Sequence, residues 1–327
     1  MFNRLSIYLL SLAFLSLAIS CGTATNRSAD SSFNGYTFTS QSAAITYALM
    51  GVAANGTATA GVDPASMITS SNQVRLIFTG PAGTLLSALS TDGLTFTVDS
   101  GFTSPFSVVG IAQPTIIASP TGGFRMFARQ DTRVFSATSS DGQTWTQESG
   151  TRFDVSSMGL SSTTGPSLVH LSNGQYRMYF SPEPTNCASA GVTNSIYSAI
   201  SNDQLTWTAD SGVRVGDSVD GRCKNKPSAI VQSNGLVTLF YHVYSRTGSG
   251  DSYSAMIYYS TSTSSDGLTF TTETSTALGA TSPTSAGLTE ATDPNILQMP
   301  DGTMRLYFDV FYAPNGDQIY ASSGVVN

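Results

Sequence analysis

After residue 21, apolar and polar residues alternate in short runs, and turn residues separate the runs. No apolar period of 3.6 residues, which would indicate an amphipathic helix, is found beyond that point. The stretch GPSLVHLSNGQYRMYF, which begins at residue 165, shows the unit. A residue followed by proline opens a short apolar strand A, SNG predicts a tight turn, and QYRMYF predicts an alternating strand B. The pattern therefore predicts an all-β chain.

This hairpin unit occurs five times. Its prolines lie at positions 64, 114, 166, 227 and 294, so the spacings are 50, 52, 61 and 67 residues. A third strand, such as SIYSAIS at 195–201, then leads through a turn into a strand D of the type LTFT or LTWT. Repeats of this length, each with four antiparallel strands, are typical of β-propeller blades. We therefore predict a five-bladed β-propeller over residues 33–327.

The turn before strand D has its own repeated sequence, and one copy of it is displaced. DGLTFT occurs at 92–97 and at 266–271, DGQTWT at 141–146 and DQLTWT at 203–208, but the fifth unit stops at its third strand, QIYAS. The missing copy, NGYTFT, lies near the start of the chain at residues 34–39. We predict that this N-terminal strand completes the last blade and closes the ring, which leaves no open sheet edge.

The N-terminus resembles an export signal. Arg4 precedes a run of apolar residues and serines from 7 to 19, which has the length of a signal-peptide core and is too short to span a bilayer. LAISC at 17–21 resembles a bacterial lipobox, so residues 1–20 are predicted to be removed and Cys21 to be lipidated. An ordinary signal peptide with a chance cysteine is the alternative. Residues 21–32 predict a flexible tether. Residue 22 is Gly and not the Asp that resembles an inner-membrane retention signal, which favours the outer membrane or cell surface.

Composition excludes one class of partner. Charged residues make up 11% of the chain, the formal net charge is −7, and no cluster of Lys and Arg is present. Such a chain lacks the basic surface that a phosphate backbone requires, so nucleic acid is not an expected partner. We expect a monomer that meets the membrane only through its lipid anchor.

The recurring aspartates are predicted to be scaffold. If strand A runs down from the upper rim of the ring, B runs up and C runs down, which places Asp92, Asp141, Asp203 and Asp266 on the lower rim. An Asp side chain that accepts backbone N–H groups closes a turn of this kind. The repeat thus indicates turn formation rather than catalysis at these residues.

On the upper rim the repeat diverges. The strand-A openers are Asp63, Gln113, Gly165, Lys226 and Asp293, and the aligned ends of strand B are Thr79, Arg129, Ser181, His242 and Asp309. Different polar residues around one channel mouth predict a single asymmetric ligand site, whereas drift of solvent-exposed residues is the alternative. The predicted ligand-binding residues are Gln113, Arg129, Lys226, His242 and Asp309. Arg129 and Lys226 could bind the carboxylate or sulfate of an acidic sugar, and the alternative is that either of them neutralises Asp63 or Asp293.

The repeated X-Pro openers, the (D/N)-G-x-x-R-(M/L)-(Y/F)-F segments and the S-x-D-G-x-T-(W/F) turns resemble the five-bladed propellers of glycoside hydrolases. These are the arabinanases, xylosidases and invertase-like enzymes. The turns also resemble the sialidase Asp-box, although Asp and Gly are one residue closer here and sialidases have six blades. The resemblance covers residues 33–327 and implies a carbohydrate ligand.

The resemblance also implies catalytic roles. In those families a carboxylate at the start of the first inner strand acts as nucleophile or base, and Asp63 matches that place. Hydrolysis requires a second carboxyl group, for which Asp293 and Glu290 are the candidates. The acids that the families place on blades three and four correspond here to Gly165 and Lys226, and Glu183 is only a weak substitute.

Two further cysteines, Cys187 and Cys223, fall in adjacent loops of the predicted upper rim. In an exported chain they are expected to form a disulfide. This disulfide would close the loop from residue 187 to residue 223, which would stabilise the fold by roughly 3.5–4 kcal/mol in the chain-entropy description.

The sequence thus predicts an exported, carbohydrate-active propeller lipoprotein that binds a glycan at the channel mouth. Hydrolysis at Asp63, Asp293 and Glu290 is one alternative, and a non-catalytic adhesin or scaffold that binds a glycan or a protein is the other. No cofactor is expected, with a cation in the channel as an alternative that the sequence does not support, and a chain with two histidines cannot form a His-rich metal site.

Overall fold

Five antiparallel sheets, arranged as the five blades of a propeller, make up the computed structural model of the chain. The predicted all-β, five-bladed fold is therefore confirmed. The structure describes residues 32–33, 36–45, 61–80, 83–107, 110–183, 194–216, 223–246, 253–278, 291–312 and 316–326. No helix in those ranges is long and apolar enough to cross a membrane.

The first two strands of the chain are β1 (Ser32–Phe33) and β2 (Tyr36–Ile45), and they belong to the last blade. Blade 1 contains β3 (Val62–Ile68), β4 (Val74–Thr79), β5 (Leu85–Ser90) and β6 (Thr97–Val98). Blade 2 contains β7 (Ala112–Ala118), β8 (Phe124–Gln130), β9 (Arg133–Ser139), β10 (Thr146–Gln147) and β11 (Phe153–Asp154), and a short 3-10 turn follows at Val155–Met158.

Blade 3 contains β12 (Ser167–His170), β13 (Tyr176–Phe180), β14 (Tyr197–Ser201) and β15 (Thr208–Ala209). Blade 4 contains β16 (Cys223–Val231), β17 (Val237–Arg246), β18 (Tyr253–Thr261) and β19 (Thr274–Leu278). Blade 5 contains β20 (Ala291–Gln298), β21 (Met304–Tyr312) and β22 (Gly316–Val326), followed in space by β2 and β1.

The N-terminal strand closes the ring. β2 pairs antiparallel with β22, with Tyr36 opposite Val326, and so provides the fourth strand of blade 5 as predicted. β1 adds a short fifth strand outside it, so strand structure begins at Ser32, one residue before the predicted start of the propeller. Pairing the two ends of the chain in one sheet removes the open edge that an incomplete last blade would leave.

The predicted strand D is mostly turn in blades 1 to 3. In each of them the strand begins only at the last threonine of the repeat, for example Thr97 in blade 1. Asp92 Oδ1 accepts the backbone N–H groups of Leu94 and Thr95, each at 2.8 Å, and the equivalent aspartates of blades 2 and 3 do the same. These bonds compete with the strand ladder for the same donors. The aspartates therefore close turns, in agreement with their interpretation as scaffold.

Apolar packing between neighbouring blades forms the core. The described side chains form five buried clusters, and each cluster joins two adjacent blades. One of them packs Phe78 and Phe96 of blade 1 against Tyr307 and Ile319 of blade 5. Because blade 5 packs on blade 1 as the other neighbours pack on each other, the ring is closed by its core as well as by its strands.

Candidate functional site

The five strand-A openers meet at the axis of the propeller. Together with the prolines that follow them they line a cavity of about 40 Å³. That volume holds a few water molecules. The cavity can therefore receive a small polar group, and a larger ligand would lie above it at the channel mouth.

Four openers have a left-handed backbone conformation. The angle φ is 58° at Asp63, 56° at Gln113, 48° at Lys226 and 52° at Asp293. Each of them lies in a β-bulge, because strand pairing shifts register across the opener and its proline. The predicted start of strand A at the opener is thus wrong in these blades, since the strand begins earlier and the bulge interrupts it. A left-handed conformation costs about 1–2 kcal/mol for a residue with a Cβ, so other contacts must hold it.

Hydrogen bonds between blades hold the openers. In four cases the opener's backbone N–H donates to the aligned strand-B side chain of the preceding blade, and we call these bonds the interblade latch. The donors and acceptors are Gln113 to Thr79 Oγ1 (3.0 Å), Lys226 to Ser181 Oγ (3.2 Å), Asp293 to His242 Nδ1 (3.0 Å) and Asp63 to Asp309 Oδ2 (2.8 Å). The alignment of these rim positions is confirmed, although His242 and Asp309 lie within longer strands rather than at strand ends.

The opener of blade 3, Gly165, cannot form the same bond, because the aligned strand-B residue of blade 2 is Arg129, whose side chain has no hydrogen-bond acceptor. The N–H of Gly165 donates instead to Gln113 Oε1, which also accepts a hydrogen bond from Arg129 Nε at 3.0 Å. A Cβ at position 165 would lie 2.4 Å from the Cβ of Gln113, so only glycine fits. The amide oxygen of Gln113 is therefore committed to the scaffold, which leaves its amide nitrogen as the group that could meet a ligand.

Lys226 lies at the centre of the site. Its Nζ is 2.7 Å from Asp63 Oδ1 and 2.9 Å from Asp293 Oδ1, and the Lys226 side chain is 19% exposed. The lysine comes from blade 4, while the two acids come from blades 1 and 5. Blades 4 and 1 are not neighbours in the ring, so this ion cluster ties the propeller together across its axis.

The surroundings shift the pKa values of Asp293 and Asp309 in opposite directions. Burial alone would raise the pKa of Asp293, but the Lys226 ammonium outweighs it and holds that pKa well below its usual range. Burial and the nearby carboxylates Asp293 and Asp63 raise the pKa of Asp309 well above its usual range. Burial disfavours the charged form of Lys226, yet Asp293 and Asp63 outweigh this and raise its pKa. The site thus favours the ionised form of Asp293, the charged form of Lys226 and the protonated form of Asp309.

His242 is 1% exposed and serves the scaffold. Its Nδ1 accepts the N–H of Asp293, so that nitrogen cannot at the same time donate to Asp293 Oδ1, which lies 3.3 Å away. The other ring nitrogen, Nε2, is buried and has no hydrogen-bond partner among the described residues. Through this bond His242 positions Asp293.

Six of the predicted site residues converge at the axis, namely Asp63, Gln113, Lys226, His242, Asp293 and Asp309. Arg129 lies beside them, where its Nη2 is 3.1 Å from Glu183 Oε2 in a partly exposed ion pair. Glu290, Cys21 and Cys187 lie outside the described residues. Cys223 is fully buried at the start of β16, and its pairing with Cys187 stays a prediction.

The arrangement suits recognition better than bond cleavage. A glycosidase pair must hold the sugar between two carboxyl groups that are about 5–9.5 Å apart. Between Asp63 and Asp293 that space is taken by the Lys226 ammonium. What faces the mouth is a compact set of donors and acceptors with mostly balanced charge, which can form directional hydrogen bonds to hydroxyl groups.

Solved structures with the same fold include glycoside hydrolases. An endo-1,4-β-xylanase from Bacteroides thetaiotaomicron has a TM-score of 0.56 and 16% identity, and the match covers 80% of this chain and 89% of that one. An endo-arabinase from the same organism has a TM-score of 0.58 and 13% identity over 81% and 94% of the two chains. An α-L-arabinanase from Penicillium chrysogenum, solved with arabinobiose, has a TM-score of 0.55 and 14% identity over 88% and 98%.

No protein-family profile and no curated protein matches the sequence. The structural matches therefore establish a glycoside hydrolase-like propeller fold, and identities this low say nothing further about activity.

The raised pKa of Asp309 predicts a pH effect on stability. Native Asp309 keeps a proton that the unfolded chain releases above about pH 4, so the native state binds more protons and loses stability as pH rises towards the raised native pKa. Asp309→Asn removes this loss. Urea unfolding at pH 5 and pH 8 should show the variant gaining on wild type by up to about 1.4 kcal/mol for each pH unit of the titration window.

Asp301→Asn is the matched control in the same blade. Asp301 is exposed on a turn, and its bonds to Thr303 lower its pKa, so it is ionised in both states over this range. Its stability difference from wild type should not change between pH 5 and pH 8. A pH-independent difference for Asp309→Asn as well would show that Asp309 is ionised in the native protein.

Proposed function

We propose that this protein is an exported surface lipoprotein whose glycoside hydrolase-like propeller binds a glycan at the axial mouth without cleaving it. The observation that carries the proposal is the Lys226 ammonium between Asp63 and Asp293, which fills the space a scissile bond would need. The named functions of the xylanase and arabinanases with this fold support a carbohydrate ligand. Glycan binding without hydrolysis is the use of this fold that the site geometry favours.

Charge at the mouth favours a neutral glycan. Among the described residues, both cations at the mouth are paired, Lys226 with two aspartates and Arg129 with Glu183. A uronic acid or sulfated sugar would have to displace one of these carboxylates and would meet the repulsion of the others. Hydroxyl groups carry no such cost, because they can donate to the carboxylates and accept from Gln113 or Lys226.

Hydrolysis is the second candidate, and one observation favours it. The surroundings push the pKa values of Asp309 and Asp293 in opposite directions, as in sites that use one carboxyl group as an acid and another as a base. Asp309 is only 2% exposed, however, and its Oδ2 accepts the N–H of Asp63. A role as acid would require the latch to open.

Envelope location follows from the N-terminal sequence. Under this proposal residues 1–20 are removed, Cys21 carries the lipid, residues 21–32 act as a tether, and the Cys187–Cys223 disulfide stiffens the wall of the site after export. The short tether would hold the propeller close to the outer membrane, with the axial mouth open to glycans.

Glycan binding and hydrolysis can be separated in one experiment. Soluble residues 22–327 would be incubated with aryl glycosides and with matched neutral and acidic oligosaccharides, beside an Asp63→Asn variant. We expect saturable binding of a neutral glycan, at least tenfold weaker binding in Asp63→Asn because a buried acceptor is lost, and no product release. Product release that disappears in Asp63→Asn would establish hydrolysis instead, and neither binding nor release would point to a protein partner.

The lipid anchor makes a separate prediction. Metabolic labelling with a radioactive fatty acid in a bacterial host should mark the full-length protein and leave Cys21→Ser unlabelled and its signal peptide uncleaved by the lipoprotein pathway. Cys223→Ser is the matched control and should label as wild type does. Equal labelling of wild type and Cys21→Ser would remove the lipoprotein assignment.

A further inference from the structure

Three aspartates form a compact buried group at the axis, which we call the axial acid triad. One carboxylate oxygen from each of Asp63, Asp293 and Asp309 lies within 4.8 Å of the others. Carboxylates this close repel each other strongly unless a proton or a cation balances them. The native protein must therefore supply such a balance within the site.

The cation is supplied by the chain itself. Lys226 Nζ donates a hydrogen bond to Asp63 Oδ1 at 2.7 Å and forms an ion pair with Asp293 Oδ1 at 2.9 Å, although that oxygen has no hydrogen-bond partner among the described residues. The third member, Asp309, is 98% buried, and its Oδ1 has no hydrogen-bond partner in the part of the chain that the structure describes. The triad thus has the burial and the acceptors of a cation receptor, and a side chain from another blade fills it.

We propose that the axial acid triad is an ammonium-binding site whose resident ligand is the Lys226 side chain, and that shortening this side chain lets an external primary alkylammonium ion take its place. This inference goes beyond glycan binding, because it concerns how the site is balanced rather than which sugar it meets. It also implies that the pocket presents its acceptors to a ligand with their charge already compensated.

The size of the external ligand follows from the side chain. Lys226→Ala keeps Cβ and removes three further carbons and the ammonium group, which together correspond to propylammonium. The ammonium end has three N–H donors, and two of them would face Asp63 and Asp293 as Lys226 Nζ does. The alkyl part would occupy the space that the lysine stem leaves.

Thermal unfolding of Lys226→Ala in propylammonium chloride tests the proposal. The variant should melt below wild type, and propylammonium should raise its Tm saturably, by about 3 °C at ten times the Kd. Tetramethylammonium has the charge without N–H donors, and 1-propanol has the alkyl chain without the charge, so neither should give this rise. Wild type, in which the site is filled, should not respond to propylammonium.

Lys226→Met is the matched variant, because it fills the space of the stem and lacks the charge. It should be destabilised and should not be rescued by propylammonium. If Lys226→Ala does not fold alone, refolding that succeeds with propylammonium and not with tetramethylammonium supports the proposal. Equal effects of the two cations, equal responses of all three proteins, or no rescue in either assay would overturn it, and none of these results depends on whether a glycan binds.

Discussion

A single ammonium group balances the centre of this propeller. Lys226 brings a positive charge from blade 4 to two carboxylates from blades 1 and 5, all of them largely removed from solvent. Removing one partner of a buried ion cluster leaves an uncompensated charge, which typically costs about 3–5 kcal/mol. The same contact fixes the shape of the axial cavity and occupies the space between its acids, so the fold and the chemistry of the site depend on it together.

The interblade latch connects this centre to the rest of the ring. Four openers adopt a backbone conformation that is unfavourable for them, and each donates its N–H to a side chain of the preceding blade. This explains why the strand-B positions diverge in residue type while they keep one function, since a hydroxyl, an imidazole and a carboxyl group can all accept that bond. Divergence at these positions is thus partly structural, and the ligand meets mainly the openers.

Much of the fold could be predicted because it follows from periodic signals. Five X-Pro hairpins and a displaced NGYTFT copy were sufficient to predict five blades and ring closure, and alignment of the repeat brought Asp63, Lys226 and Asp293 to one rim. The interblade latch also had a signal in the sequence, because four of the five aligned strand-B residues have a side-chain hydrogen-bond acceptor and Arg129 does not. Neutralisation of Asp63 or Asp293 by Lys226 was one of two alternatives that the sequence left open, and the structure shows that contact. The left-handed openers could not be predicted, because a repeat gives positions along strands and does not give the backbone conformation at a bulge.

The coupling between Lys226 and Asp63 tests the account most directly. Unfolding free energies of wild type, Lys226→Met, Asp63→Asn and the double variant give that coupling as a double-mutant cycle. The account predicts that each single change is destabilising and that the double variant is more stable than their sum by at least about 1.5 kcal/mol, because each change removes the charge that the other leaves unpaired. Additive effects within about 0.5 kcal/mol would show that the two groups do not interact and would contradict the account.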